Sequence, residues 1–250
     1  MKLMKHLYMI GSGQIRLSNP LDCHIYLVDC GENLVLVDAG SGVEPEIIVR
    51  NIQYEGYDPG RITYILLTHC HGDHAGGCAY LKNLLNCKIV CTPMEGRLLQ
   101  SGSQEEMGLK IAKRSGIYPK DYEFTPCRPD LLIKNGEAIS IGERTFEAVI
   151  VRGHSWEPAC YLTEIDGTRI LFSSDVVFYG GTIGLGNWPG SSLSEYRRSI
   201  RRLSNLDVDV LLPGHYLWTL KDGQSHLNKA IENLKLAWVP PAWQHMHPHR

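Results

Sequence analysis

The sequence predicts a layered α/β or α+β domain, and three observations carry that expectation. Short apolar runs of strand length alternate with helical stretches along the whole chain. No solenoid-period repeat, low-complexity linker or composition break divides it, so residues 1–250 are expected to form one domain. A chain of 250 residues buries about 70–75% of the surface its unfolded form exposes, so its core needs no staples. The contents of 43% hydrophobic and 21% charged residues exclude a disordered chain.

The elements follow in order. His24–Val28 and Leu34–Val37 read as strands joined by a hairpin turn at Gly31-Glu32-Asn33. Asp38-Ala39-Gly40-Ser41-Gly42 breaks the pattern and leads into a helix over Glu44–Glu55 that Gly56 stops. Ile62–Leu67 is a continuous apolar run, the kind of strand buried on both faces. A Gly- and Ala-rich start opens a helix over Ala75–Leu85, followed by a short strand at Ile89–Val90. Gly96, Gly102, Gly108 and Gly116 interrupt the helical pattern of residues 93–118, which predicts short jointed helices within an insertion near 93–130. Strands return at Glu137–Ile141, Thr145–Val151, Ala159–Thr163 and Thr168–Phe172, with a hairpin turn at Asp166-Gly167. Leu193, Tyr196, Ile200 and Leu203 then share one helical face, leaving Arg197, Arg198, Arg201 and Arg202 to a solvated one. A strand over Val208–Leu212 and a helix over Gln224–Trp238 close the chain.

A net charge of -2 excludes a protein that grips nucleic acid by bulk charge. No apolar run spans a bilayer, and the basic start Met1–His6 leads into Gly11-Ser12-Gly13 rather than a signal-peptide core. The 8 cysteines form no C-x-x-C pair. They are expected to be reduced, mostly buried thiols in a soluble, cytoplasmic protein. The 11 histidines are the surplus to be explained.

Thr68-His69-Cys70-His71-Gly72-Asp73-His74 directly follows the apolar strand. Three imidazoles and a carboxylate this close together suit a metal, with Zn²⁺ favoured and Fe or Mn also served by N and O ligands. His69 and His71 can meet one ion while the turn at Gly72 swings Asp73 and His74 toward a second. Three single residues repeat the design of apolar strand, small residue, ligand: His154, Asp175 and His215. Cys70 reads as a small filler. The tail Trp243–Arg250, with His245, His247 and His249, reads as a frayed terminus that binds metal adventitiously at most.

These residues resemble the signature of the metallo-β-lactamase superfamily, H-x-H-x-D-H followed by a distant His, Asp and His, over nearly the whole chain. Asp38-Ala39-Gly40 is similar to the family's early, mostly structural D-x-G turn. The resemblance implies an α+β fold, a four-layer αβ/βα sandwich of the metallo-β-lactamase type. It implies two divalent metal ions, most readily Zn, with His69, His71 and His154 on the first, Asp73, His74 and His215 on the second, and Asp175 bridging. It also implies hydrolysis of a small acyl substrate (ester, thioester, lactone or β-lactam) by a metal-bound hydroxide, with Asp73 in a catalytic, orienting role. The expected partner is thus a small-molecule substrate, with no nucleic acid or membrane and with room for a homodimer.

Asp at 175 is similar to the glyoxalase II-like and lactonase-like hydrolases, whereas the zinc β-lactamases carry Cys or Ser there. Only residues 216–250 follow His215, too few for the helical domain with which glyoxalase II binds glutathione. Acyl-homoserine-lactone lactonases carry a Tyr shortly after the bridging Asp; here Phe178 precedes Tyr179, one place out of register. A mononuclear non-haem iron dioxygenase of the persulfide dioxygenase type is the alternative on the same fold. The flavodiiron proteins, a third option, have Glu where this chain has His71. The segment between His74 and His154 is expected to form a lid or side wall or a dimer contact. Gly180–Trp188 is expected to line the site, with Trp188 or Tyr179 as an apolar wall.

Overall fold

Leu7–Ile10, Ile25–Val28 and Leu34–Val37 are apolar on both faces, and the computed structural model, which describes residues 1–242, buries all of them in one sheet. Strands β1 (Lys2–Met4) and β2 (Leu7–Gly11) form a hairpin, and β2 pairs antiparallel with β3 (Ile25–Cys30). These first two strands, which no turn signal announced, occupy the stretch considered above only as a basic start. Gly31, at φ 81°, turns β3 into β4 (Asn33–Val37), as the hairpin signal predicted.

From β4 onward the sheet is parallel, because helices make the crossovers. Helix α1 (Glu46–Tyr54) buries Ile48 and Ile52 and leads to β5 (Ile62–Leu66). Thr63 and Tyr64 are only half buried, so β5 is less enclosed than its apolar run suggested. The predicted helix over Ala75–Leu85 is two: a single turn, α2 (Gly72–Ala75), and α3 (Cys78–Leu85). They break at Gly76-Gly77, where any Cβ would overlap the carbonyl oxygens of Ser41 and Ala39. Strand β6 (Lys88–Cys91) precedes two short helices, α4 (Pro93–Ser101) and α5 (Leu109–Arg114), separated by left-handed Gly102 and Gly108 as the glycine pattern predicted. The two-residue strand β7 (Leu131–Leu132) completes a seven-stranded sheet in the order β1-β2-β3-β4-β5-β6-β7. Its core packs Ile25, Leu27, Leu36 and Ile65 against Ile48 of α1 and Leu81 of α3.

A second sheet of five strands runs β12-β11-β10-β9-β8. It comprises β8 (Ala138–Ile141), β9 (Arg144–Ile150), β10 (Ala159–Ile165), β11 (Thr168–Ser174) and β12 (Val210–Pro213). Asp166 and Gly167, at φ 50° and 79°, make the tight β10–β11 turn that the Asp-Gly pair predicted. Helix α6 (Leu193–Ser199) continues as a 3₁₀ turn over Ile200–Leu203, and α7 (Gly223–Lys235) follows β12. Tyr196, Ile200 and Leu203 are buried on the predicted apolar face. The exposed Arg197 is not merely solvated: its guanidinium donates to the Leu234 and Leu236 carbonyls at the end of α7, at 3.1 and 3.0 Å. Arg202 donates to the Ile150 carbonyl at 2.6 Å.

The backbone contacts resolve two compact units, Met1–Ile133 with Ser140–Arg144, and Lys134–Ile139 with the chain from Thr145 on. Among the described residues no helix is long and apolar enough to cross a membrane. The tail from Trp243 lies outside the described residues.

Candidate metal centre

In the first unit the predicted ligands follow the end of β5 and are held by groups remote in the chain, Asp38 and Tyr118. Asp38, just past β4 at φ 65° and 2% exposed, turns its carboxylate under the ligand loop. Its Oδ1 accepts from the Thr68 amide at 2.8 Å, and its Oδ2 accepts from the Thr68 hydroxyl at 2.9 Å. The same Oδ2 lies 2.8 Å from His74 Nδ1. A buried carboxylate on Nδ1 fixes the tautomer and orientation of the imidazole and makes Nε2 the ring atom that could coordinate a metal. His74 Nε2 stands 3.7 Å from Asp73 Oδ2. The D-x-G turn is therefore structural as expected, but its first residue sets a predicted ligand.

His69 is fully buried, with Nδ1 3.1 Å from the Thr68 hydroxyl. Its Nε2 lies 3.0 Å from His71 Nδ1, and its ring centre lies 4.1 Å from that of His74. Three imidazoles at this spacing can direct ring-nitrogen lone pairs at one cation, which accepts them all. Cys70 points away from them, as expected of a filler. Its amide donates to the buried Glu95 carboxylate at 2.9 Å, its thiol donates to the Glu95 carbonyl, and burial pushes that thiol well up.

Asp73 is held from the insertion. Its amide donates to Tyr118 Oη at 2.8 Å, and the phenol donates in turn to Asp73 Oδ1 at 2.6 Å. Burial and the neighbouring carboxylate raise the Tyr118 phenol well above its usual range, so it remains a donor. Tyr122 stacks on Tyr118 at 4.8 Å and donates to the Ser41 carbonyl at 2.7 Å. The insertion thus reaches the ligand loop with two tyrosines.

The second unit repeats the logic at three strand ends. Gly153, at φ 133° against the Tyr196 ring, delivers His154 just beyond β9. His154 is 3% exposed, and its Nδ1 donates to the Gly184 carbonyl at 2.6 Å, again making Nε2 the ring atom that could coordinate a metal. Ser174, left-handed at φ 52°, aims Asp175 from the end of β11. Asp175 Oδ2 lies 3.7 Å from His154 Nε2 and 3.5 Å from His215 Nε2, so a carboxylate stands between two imidazoles. Tyr216, directly after His215, is likewise a non-glycine residue at positive φ, 65°, a backbone strain often met at functional sites. Gly180–Trp188 lines this set: the Trp188 indole donates to the His154 carbonyl at 2.8 Å, and the two rings meet edge-on at 5.4 Å. Tyr179 instead packs on His226 of α7 at 4.2 Å.

The seven predicted residues therefore fall just past strands or, for Asp73 and His74, in the helical turn α2 that follows β5, and their N and O donors fit divalent ions of the Zn, Fe or Mn class. Sequence reasoning missed Glu95, Tyr118, Tyr122 and Gly184, whose partners are remote in the chain. It also undervalued Asp38.

The sequence pattern of the metallo-beta-lactamase superfamily matches residues 18–215. The chain belongs to the metallo-β-lactamase superfamily. Among curated relatives of this superfamily member is the acyl-coenzyme A thioesterase MBLAC2 of Gallus gallus, 29% identical over 77% of this chain and 72% of that protein. The lactamase-like protein nscB of Trichophyton rubrum is 27% identical over 85% of this chain, and the atrochrysone carboxyl ACP thioesterase of Aspergillus fumigatus 26% identical over 81%. The chain spans little more than half of those two fungal proteins, 57% and 52%. A Cronobacter sakazakii metallo-β-lactamase with a HARLDQ motif matches with a TM-score of 0.74 at 20% identity, covering 94% of this chain and 90% of that one. BJP-1, a subclass B3 enzyme of Bradyrhizobium japonicum, matches at 0.71 and 21%, covering 94% and 91%. These likenesses show the fold, α+β with two sheets. As a member of this superfamily the protein is a hydrolytic, metal-dependent enzyme.

Proposed function

We propose that the protein hydrolyses small acyl substrates, thioesters foremost, with two divalent ions of which Zn is the first choice. In this proposal His69, His71 and His154 hold one ion, Asp73, His74 and His215 the other, and Asp175 is shared. The observation that carries it is the pinning of the ligand imidazoles through Nδ1, His74 by Asp38 and His154 by Gly184, which commits each Nε2 to coordination. The ions, when bound, supply a water that ionises near neutral pH and a Lewis acid for the acyl carbonyl. Asp73, anchored by Tyr118, holds its carboxylate toward His74, and Trp188 screens His154 from solvent. Two of the relatives named above are thioesterases, which favours that substrate class over lactones and β-lactams.

The test is a hydrolysis screen of acyl-CoA thioesters, lactones, β-lactams and phosphoesters on protein of measured metal content. Acyl-CoA turnover with two Zn or Mn per chain is expected. His71→Ala and Asp73→Ala should each reduce turnover to background and lower the metal content. Turnover surviving both substitutions overturns the assignment, and one Fe per chain with oxygen uptake overturns the hydrolase. A cytoplasmic location, a small-molecule substrate without nucleic acid or membrane, and a homodimer complete the proposal; the eight free thiols support a reducing compartment.

A further inference from the structure

We propose that Tyr118 is a positioning residue that commits the Asp73 carboxylate to a single oxygen and thereby sets the affinity for one of the two ions. It comes from the insertion, where it packs with Leu109 and Tyr122 in a small cluster of its own. Its hydroxyl closes a two-point clasp on one residue, accepting from the Asp73 amide at 2.8 Å and donating to Oδ1 at 2.6 Å. A clasp of this kind fixes both the backbone and the carboxylate plane of Asp73. With Oδ1 engaged, Oδ2 is the oxygen that faces His74 Nε2, at 3.7 Å. His69 and His71 receive nothing from Tyr118; His69 is steadied by Thr68. Loss of the phenol therefore acts on the ion that uses Asp73 and His74 and spares the other. Outer partners of metal ligands typically contribute about 10–100-fold in affinity. The inference rests on the proposed role of Asp73 and His74 as ligands.

The experiment is a Zn²⁺ and Co²⁺ titration of the purified full chain against a competing chelator. Wild type is expected to bind two ions. Tyr118→Phe, which keeps the ring stacked on Tyr122, should weaken one ion by about 10–100-fold and leave the other unchanged. Tyr57→Phe, which loses hydrogen bonds to Tyr8 and Asp29 and none to the ligand loop, should leave both unchanged. In an Asp73→Ala background, Tyr118→Phe should have no further effect on either ion. Should Tyr118→Phe fail to fold, the full chain labelled with 3-fluorotyrosine reads the same contact. The ¹⁹F resonance of residue 118 should then shift with one equivalent of ion and not with the other. Two ions of unaltered affinity in Tyr118→Phe, equal weakening of both, or a ¹⁹F signal blind to both equivalents overturns the inference alone. A wild-type chain that binds a single ion overturns the two-ion proposal and the inference with it.

Discussion

Gly184 shows how little tolerance one residue leaves beside a histidine proposed as a metal ligand. A Cβ there would overlap the Asp175 carbonyl oxygen and crowd His154 Nδ1, which donates to the Gly184 carbonyl. Gly184→Ala must therefore displace two proposed ligands together. Turnover and metal content are expected to fall as they do for loss of a ligand, and metal analysis by mass spectrometry checks the second. Asp38 works by attraction where Gly184 works by space: one carboxylate takes both Thr68 donors and His74 Nδ1. An acidic residue before Ala39-Gly40 was visible in the sequence; that it reaches His74 was not, because nothing local encodes that contact.

At the level of elements, the proposed ligands sit just past strands or, for Asp73 and His74, in the single helical turn α2, so ladder hydrogen bonds do not orient their side chains and other side chains or carbonyls do so instead. Helix α7 ends against a neighbour in the same way. Its C-terminal carbonyls would face solvent unpaired, and Arg197 of α6 supplies the positive group that the end of a helix favours. Arg197→Ala is expected to cost about 1 kcal/mol, measured by urea denaturation, with turnover unchanged. The arginine row was legible as an exposed helical face. Its anchoring roles were not, since they depend on which elements pack beside α6. The split of α2 from α3 has a similar cause: Gly-Gly reads as a soft helix start until the Ser41 and Ala39 carbonyls are seen pressed against it.

Across the whole molecule, the 8 cysteines behave as core rather than chemistry. All are free, and all but the half-buried Cys127 are fully buried. Burial pushes the Cys127 thiol up to about 11 and Cys87 likewise to about 11. A raised thiol pKa means less thiolate at a given pH, so at pH 8 roughly one thiol in a thousand at these positions is reactive. Native protein at pH 8 is expected to label slowly with a thiol reagent, the rate climbing about tenfold per pH unit toward pH 11, with all eight labelled on unfolding. Stoichiometric labelling of the folded chain at pH 8 would contradict this.

The fold class, most strands, the jointed insertion and the seven candidate ligands were readable because each signal is local: apolar runs, turn glycines, the tight spacing of His69, His71, Asp73 and His74, and a small residue before each of the other three. What holds those ligands was not readable. Asp38 reaches across 36 residues to His74, Tyr118 across 45 to Asp73, and Gly184 across 30 to His154. Contacts of that separation exist only once the chain has chosen its path, because no local preference brings the partners together. The candidates for ligation are thus a property of short sequence, while the orientation that would make a histidine or carboxylate a good ligand belongs to the fold.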